Sequence, residues 1–373
     1  MGFDLDAALA RTIELEASDL HLKVPARPRV RIAGELKDLP GYEPLTPADT
    51  AEVRDRVLRS EVKRRQYDER GSADLSHHTA DGRFRVAAFT QRGSASFVFR
   101  AIPEAPDAQS LGLPNVITSW ADALRGLVVV TGPTGSGKST TCAAVLDLIN
   151  RRRACHILTI EDPIEYLHTD DHALICQREI GTDAPDYHEA LRAALRQDPD
   201  VVLIGEVRDE QTAMTALRAA ETGHLVLCTM HTINAAETVQ RFIDLFGESR
   251  ALLARQMLAG TLVGIASQRL IPAVDGRLTL NAEVLVNTSR IRDLIADGAP
   301  QKEVQQAVAE GDYYGMRTFD QCLLGLLRSG RVTREQAMAF ATSPHDFKLM
   351  LVSSGVDRVG EGSAATEPRA PVY

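Results

Sequence analysis

The chain has 373 residues, 44% hydrophobic and 25% charged, with 42 Lys and Arg against 51 Asp and Glu for a net charge of -9. This composition excludes a low-complexity or wholly disordered chain, and the length leaves room for two or three domains. The acidic balance argues against a duplex-DNA binder, which carries a basic footprint. The five cysteines Cys142, Cys155, Cys176, Cys228 and Cys322 contain no C-x-x-C pair, which argues against zinc or redox chemistry.

Residues 1–102 read as a small α+β unit. RVRIAGELKDL (29–39) begins with the alternation of a strand. TPADTAEVRDRVLRSEVKRRQYDER (46–70) reads as a helix, with Thr46 as N-cap, Pro47 at the first helical position, and Val53, Val57 and Val62 at roughly helical spacing. RFRVAAFTQRGSASFVFRAI (83–102) reads as two strands around a turn near Arg92-Gly93.

PEAPDAQSLGLP (103–114) opens the expected linker, residues 103–117. Beyond it, in 118–355, short apolar runs alternate with helical stretches: LVVV (127–130), HILTI (156–160), VVLI (201–204) and LVLC (225–228). Such runs predict a mostly parallel α/β sheet, followed by a helical region from about residue 235. MLAGTLVGIAS (257–267) falls short of the roughly 20 residues of a membrane span and reads as a buried helix. Residues 356–373 lack apolar periodicity and read as a disordered tail. With no basic-then-apolar leader in view, the expected location is the cytoplasm.

Four groups of residues carry chemistry. In GPTGSGKST, Gly132, Gly137, Lys138 and Ser139 fit G-x-x-x-x-G-K-[ST]. The glycines turn backbone N–H groups toward a phosphate, and the helix opening at Lys138 points its positive end the same way. The lysine reaches the β- and γ-phosphates, and the Ser139 hydroxyl ligates Mg²⁺. Pro133, Thr134, Gly135, Ser136 and Thr140 complete this cofactor-binding stretch for ATP. VVLIGEVRD ends a strand at Glu206, placed to reach Mg²⁺ and its water; a glycine stands where the common motif has an aspartate. IEDPIEY gathers Glu161, Asp162 and Glu165 around Pro163. This turn suits a water-activating base, and equally a solvated acidic turn. CTMHTINA flanks His231 with threonines, and His231 reads as a γ-phosphate sensor or a structural histidine; His224 has the same two readings.

In this order the motifs resemble the secretion-type ATPases that drive type II secretion and type IV pili, and within them the PilT-like motors of pilus retraction and twitching motility. ASDLHL (17–22) is similar to the family's opening signature, and IEDPIEY, GEVRD and AETGHLVLCTMHT to its aspartate, Walker B and histidine boxes. GMRTFDQ and SPHDFKLML are similar to its C-terminal region. The resemblance implies a PAS-like N-terminal domain followed by a RecA-like P-loop ATPase domain. It implies Glu165 as catalytic base, Glu206 at Mg²⁺, and His231 and His224 as reporters of nucleotide state. Arg85 and Arg100 match the pair of N-terminal-domain arginines that reach a nucleotide in cis or in trans. It also implies a homohexamer in which 103–117 is a hinge. The ring would work at the inner face of the cytoplasmic membrane on an inner-membrane pilus platform protein, touching the membrane only through partners and binding no nucleic acid.

Two absences favour retraction over assembly: the signature arrives by residue 17, and no paired C-x-x-C is present. SRIRDLIADG carries Arg290 and Asp293 where retraction motors usually have Ala and Asn, which keeps an accessory retraction motor in view beside a pilus or type II secretion assembly ATPase. Readings of other classes are a RecA-like nucleic-acid translocase and a regulatory module that holds nucleotide without turnover. The acidity and the lack of aromatic residues among the basic stretches oppose the first, and the intact Lys138, Glu165 and Glu206 oppose the second.

Overall fold

A computed structural model describes residues 3–354; the stretch 356–373, expected as a tail, lies outside them. The chain forms two compact units. The first holds Met1–Ala105 together with Glu161–Thr169 and Gln177–Asp186, and the second holds Pro106–Ile160, Asp170–Cys176 and the chain from Tyr187 onward.

The first unit begins with α1 (Leu5–Glu14), β1 (Asp19–Leu22), β2 (Arg29–Ile32) and β3 (Glu35–Asp38). The strand expected over 29–39 is thus two, because Ala33 and Gly34 adopt φ of 49° and 87° and turn the chain back. The helix expected over 46–70 is also two, α2 (Pro47–Val57) and α3 (Glu61–Arg70). Thr46 and Pro47 start α2 as read, and Asp49 closes a capping box with Thr46. The break follows Val57, and Leu58 turns into the core. Next come β4 (Ser72–His78), β5 (Arg83–Gln91) and β6 (Ser94–Ala101). Arg92 and Gly93 form the expected turn, with φ of 50° and 78°. The antiparallel sheet runs β3-β2-β1-β6-β5-β4. Its strands alternate because one face is buried: Phe84, Val86 and Ala88 point into the core, while Arg85 faces out. Phe84 and Phe97 flank Phe99, with ring centroids 6.4 and 6.0 Å from it.

The second unit opens with the expected linker, which is partly packed. Leu111 and Leu113 lie against the core, and Ile117 in α4 (Asn115–Ser119) is fully buried. Then follow β7 (Gly126–Thr131), α5 (Lys138–Arg152), β8 (His156–Glu161), β9 (Leu174–Glu179), α6 (Tyr187–Ala194), β10 (Val201–Ile204), α7 (Glu210–Glu221), β11 (Leu225–Met230), α8 (Ala235–Asp244), α9 (Gly247–Thr261), β12 (Leu262–Pro272) and β13 (Leu278–Val286). Helices over Ser289–Asp297, Gln301–Ala309, Phe319–Arg328, Arg334–Phe340 and Pro344–Ser353 complete the described chain.

The sheet order is β13-β12-β7-β11-β10-β8-β9. Strands β12, β7, β11, β10 and β8 run parallel, and β13 is antiparallel to β12. Every residue of β7, β10 and β11 is buried, so these strands read as continuous apolar runs.

Two expectations fail here. Residues 257–267 are not one helix: α9 ends at Thr261, and Leu262 begins β12. From there the backbone pairs with β7 on one side and β13 on the other, and the β-branched Val263 and Ile265 suit that ladder. The region after 235 is therefore not wholly helical. No helix among the described residues is long and apolar enough to cross a membrane.

Candidate functional site

Parallel strands point their C-terminal ends to one edge, where α/β proteins bind ligands. β7 ends at Thr131 and leads into the loop Gly132–Gly137. Gly132 has φ 146°, and a Cβ there would lie 2.4 Å from the Gln268 carbonyl oxygen, so only glycine fits. Gly137, at φ 87°, turns the chain into α5 at Lys138. Lys138 Nζ donates to the carbonyls of Gly132 and Pro133 at 2.9 and 3.0 Å, folding its ammonium over the loop. Ser136 is buried, and its Oγ has no hydrogen-bond partner. A glycine cradle, a folded-in lysine and an orphaned hydroxyl at a helix start fit a phosphate chain. Beside the loop lies a cavity of about 370 Å³, lined among others by Thr140, Leu270, Arg277 and Leu278. A larger cavity of about 620 Å³ in the first unit includes none of the motif residues.

β11 lies beside β7, and β10 beside β11. Met230 is level with Thr131, and Ile204 with Cys228. His231 and Glu206 therefore emerge at the same edge as the loop, one and two strands away, about 5 and 10 Å in the plane of the sheet. Thr229 holds Glu206 from both sides: its Oγ1 donates to the Gly205 carbonyl, and its own carbonyl accepts from Val207 N at 3.0 Å.

The Glu206 carboxylate receives Arg208 Nη2 at 2.5 Å and lies 3.4 Å from His231 Nε2. Burial pushes this carboxyl up. Arg208, donating to it, and His231 beside it outweigh that and hold it below the ordinary carboxylate range. An ionised, partly buried carboxylate and the Ser139 hydroxyl are the hard oxygen donors that Mg²⁺ takes, with water completing its shell, so the residues fit the ion. Arg208 had no role assigned from the sequence; its signal was the two-residue spacing in GEVRD.

His224 is not brought to this edge. It precedes β11, so it lies at the N-terminal end of the strand, a strand length of about 20 Å from the loop. Its Nδ1 contacts the Ala219 carbonyl at 3.0 Å and Thr222 Oγ1 at 3.3 Å, closing the end of α7, and its carbonyl accepts from Gly126 N. The structure gives it a capping role in place of the expected nucleotide contact.

Glu165, Arg85 and Arg100 belong to the first unit. Glu165 is exposed in the turn after β8. Its neighbours are fixed by residues that sequence reasoning missed. Glu179, 5% exposed at the end of β9, accepts Arg83 Nη2 at 2.8 Å, Ser76 Oγ at 2.7 Å and Ile164 N at 3.3 Å. Gln177 Nε2 donates to the Tyr166 carbonyl at 2.9 Å. The backbone on either side of Glu165 is thereby tied down. Arg100 donates from Nε to Asp19 Oδ1 at 2.9 Å, while Arg85 has no ion-pair partner among the described residues.

A family model described as Type II/IV secretion system protein matches residues 4–311. The chain is 40% identical over 348 residues to the type IV pilus retraction ATPase PilT of Pseudomonas aeruginosa, covering 92% of this chain and 100% of that one. It is 37% identical over 351 residues to the type IV pilus ATPase PilU of the same organism, covering 93% of this chain and 91% of that one. Among solved structures, the pilus retraction motor PilT with bound ADP matches with a TM-score of 0.83 at 42% identity, covering 93% of this chain and 100% of that chain.

Proposed function

The chain is a nucleotide-binding ATPase of the Type II/IV secretion system protein family, and we propose that it is a hexameric motor that retracts type IV pili and so drives twitching motility. The observation that carries this reading is the Glu206–His231–Arg208 cluster, set at the strand ends beside the phosphate loop. A mechanical ATPase needs a group that feels the γ-phosphate and passes its loss to the fold.

The residues divide the work as follows. The glycine loop and Lys138 hold the phosphates, and the adjoining cavity takes the nucleoside. Ser139 and Glu206 hold Mg²⁺, which when bound neutralises charge on the β- and γ-phosphates. Glu165 accepts a proton from the attacking water, Arg85 and Arg100 offset charge developing on the γ-phosphoryl group, and His231 responds when that group leaves. Residues 1–102 act as the small PAS-like domain, 103–117 as the hinge and 118–355 as the ATPase domain. The ring works at the inner face of the cytoplasmic membrane through an inner-membrane platform protein of the pilus machine.

An accessory retraction motor is the second reading. It is favoured by Arg290, which pairs with Glu310 at 2.6 Å where retraction motors usually carry a small residue.

Two measurements test the proposal. Glu165→Ala is expected to lose most ATP hydrolysis while keeping nucleotide affinity; turnover near wild type would remove Glu165 from its role. Deletion of the gene in its host is expected to leave excess, immobile pili, whereas absent pili would mean an assembly motor.

A further inference from the structure

Thr131 is the last residue before the phosphate loop, and Thr232 is the first after His231. Thr238 on α8 lies between them, and Ser267 on β12 meets Thr131 from its other side. Thr131 Oγ1 is 2.9 Å from Ser267 Oγ and 3.5 Å from Thr238 Oγ1, and Thr238 Oγ1 is 2.7 Å from Thr232 Oγ1. Thr131 and Ser267 are 0% exposed, Thr238 1% and Thr232 2%. A buried hydroxyl costs stability unless it is bonded, and valine or alanine would fill the same space without that demand. Four of them in one chain therefore point to a use for the bonds.

Counting protons shows what the chain can do. Each hydroxyl has one proton and two lone pairs. Thr238 lies 2.7 Å from the Asn234 carbonyl, which can only accept, so that carbonyl takes its proton. Thr238 then has lone pairs left for Thr232 and Thr131. Thr131 has one proton and two hydroxyl neighbours, one on β12 and one on α8, and it donates to one of them at a time. The start of α8 is in turn fixed to β13, since Ala235 N donates to Glu283 Oε1 at 2.7 Å. The Ala235–Glu283 bond makes this helix start a pivot, so a change at Thr238 tilts α8 about it and carries the attached His231 segment.

We propose that this buried hydroxyl chain couples the phosphate loop to His231, with Thr131, Ser267 and Thr238 as positioning residues for ATP hydrolysis. They act through Gly132, which follows Thr131, and through His231, which precedes Thr232, at the nucleotide edge of the sheet. In this structure Thr131 donates to Ser267 at 2.9 Å and the 3.5 Å gap to Thr238 is open; for Thr131 to donate a hydrogen bond to Thr238 instead, α8 and the His231 segment must be drawn toward the loop. When Thr131 donates to Ser267, they are released. The inference rests on the reading of this site as an ATPase centre.

The test uses the full-length protein and ATP. Thr238→Val keeps the shape and removes the hydroxyl; Thr238→Ser keeps the hydroxyl and removes the methyl. Thr238→Val is expected to lower kcat about tenfold, a loss equivalent to one buried hydrogen bond, while ADP affinity stays within about twofold. Thr238→Ser restores kcat to within about twofold of wild type. In a His231→Ala background Thr238→Val has no further effect, because the chain then has nothing to position. Unchanged kcat in Thr238→Val, equal loss in Thr238→Ser, or effects that multiply with His231→Ala would each overturn the proposal. Should Thr238→Val not fold, Ser267→Ala carries the same expectations and the same refutations. Wild-type protein without hydrolysis would remove the ATPase reading along with this one, which separates the two failures.

Discussion

Arg85 and Arg100 face each other across the β5–β6 ladder as direct register partners. Two like charges at that spacing destabilise a sheet. Arg100 is offset by Asp19, whereas Arg85 has no carboxylate among the described residues. A repulsive pair kept near the end of the ladder suits an external anion that both side chains could approach. Arg85→Ala is expected to leave stability unchanged or raise it by up to about 0.5 kcal/mol. The same variant loses about tenfold or more in ATP turnover. Thermal unfolding and steady-state hydrolysis check the two halves, and a loss of stability without loss of turnover would make Arg85 a structural residue.

Arg100 also acts on Asp19. Burial pushes the Asp19 carboxyl up, but the hydrogen bonds from Ser18 and Arg100 hold it below its ordinary value of 3.8. A depressed carboxyl adds stability that is fully present above the unfolded value and is lost as pH falls through the lower folded one. Arg100→Ala is therefore expected to shift acid unfolding of the N-terminal unit to higher pH, read by circular dichroism across an acid titration. An unmoved midpoint would show that Ser18 and Arg31 suffice.

Glu179 and Arg83 form an ion pair with side chains 5% and 15% exposed. Removing one charge from such a pair costs about 3–5 kcal/mol, because the other is left buried. Glu179→Gln is expected to lower the melting temperature accordingly and to slow hydrolysis as the turn around Glu165 loosens. Replacing both partners by Leu and Met is expected to recover the stability but not the turnover. Full recovery of both would mean that the pair only holds the fold.

Glu283 titrates in the opposite direction. Burial pushes its carboxyl up, against the opposing pull of Ala235 N and Arg269. A raised acid contributes stability that is present below the unfolded value and lost as pH rises through the folded one. Glu283→Gln keeps the oxygen that receives Ala235 N and removes the charge. Its melting temperature is expected to match wild type near about pH 4 and to exceed it near about pH 8. A constant difference across that range would assign the effect to packing.

The sequence showed most clearly what depends on neighbours along the chain. The loop from Gly132 to Ser139 is legible because its glycines, lysine and flanking apolar strand are contiguous. The buried strands VVLI and LVLC are legible because both of their faces are covered. Helix and strand are not distinguished within MLAGTLVGIAS, since a short apolar run satisfies both periods and only pairing with β7 and β13 decides. Glu179 and Arg83 meet across 96 positions, and no local pattern marks them. His224 misleads for a related reason. It shares a motif with His231, but the strand between them carries the two to opposite ends of the sheet.

The first unit is not contiguous in the chain, and this affects its synthesis. Glu179, which neutralises Arg83, lies far beyond Ala105, where the opening segment of the unit ends. As the polypeptide leaves the ribosome, the antiparallel sheet is complete when Ala101 emerges, yet Arg83 waits for its counter-charge until the second unit is already under construction. A fragment cut at Ala105 would lack that counter-charge for Arg83. The N-terminal unit is thus completed by residues that the chain supplies only after it has begun the second unit.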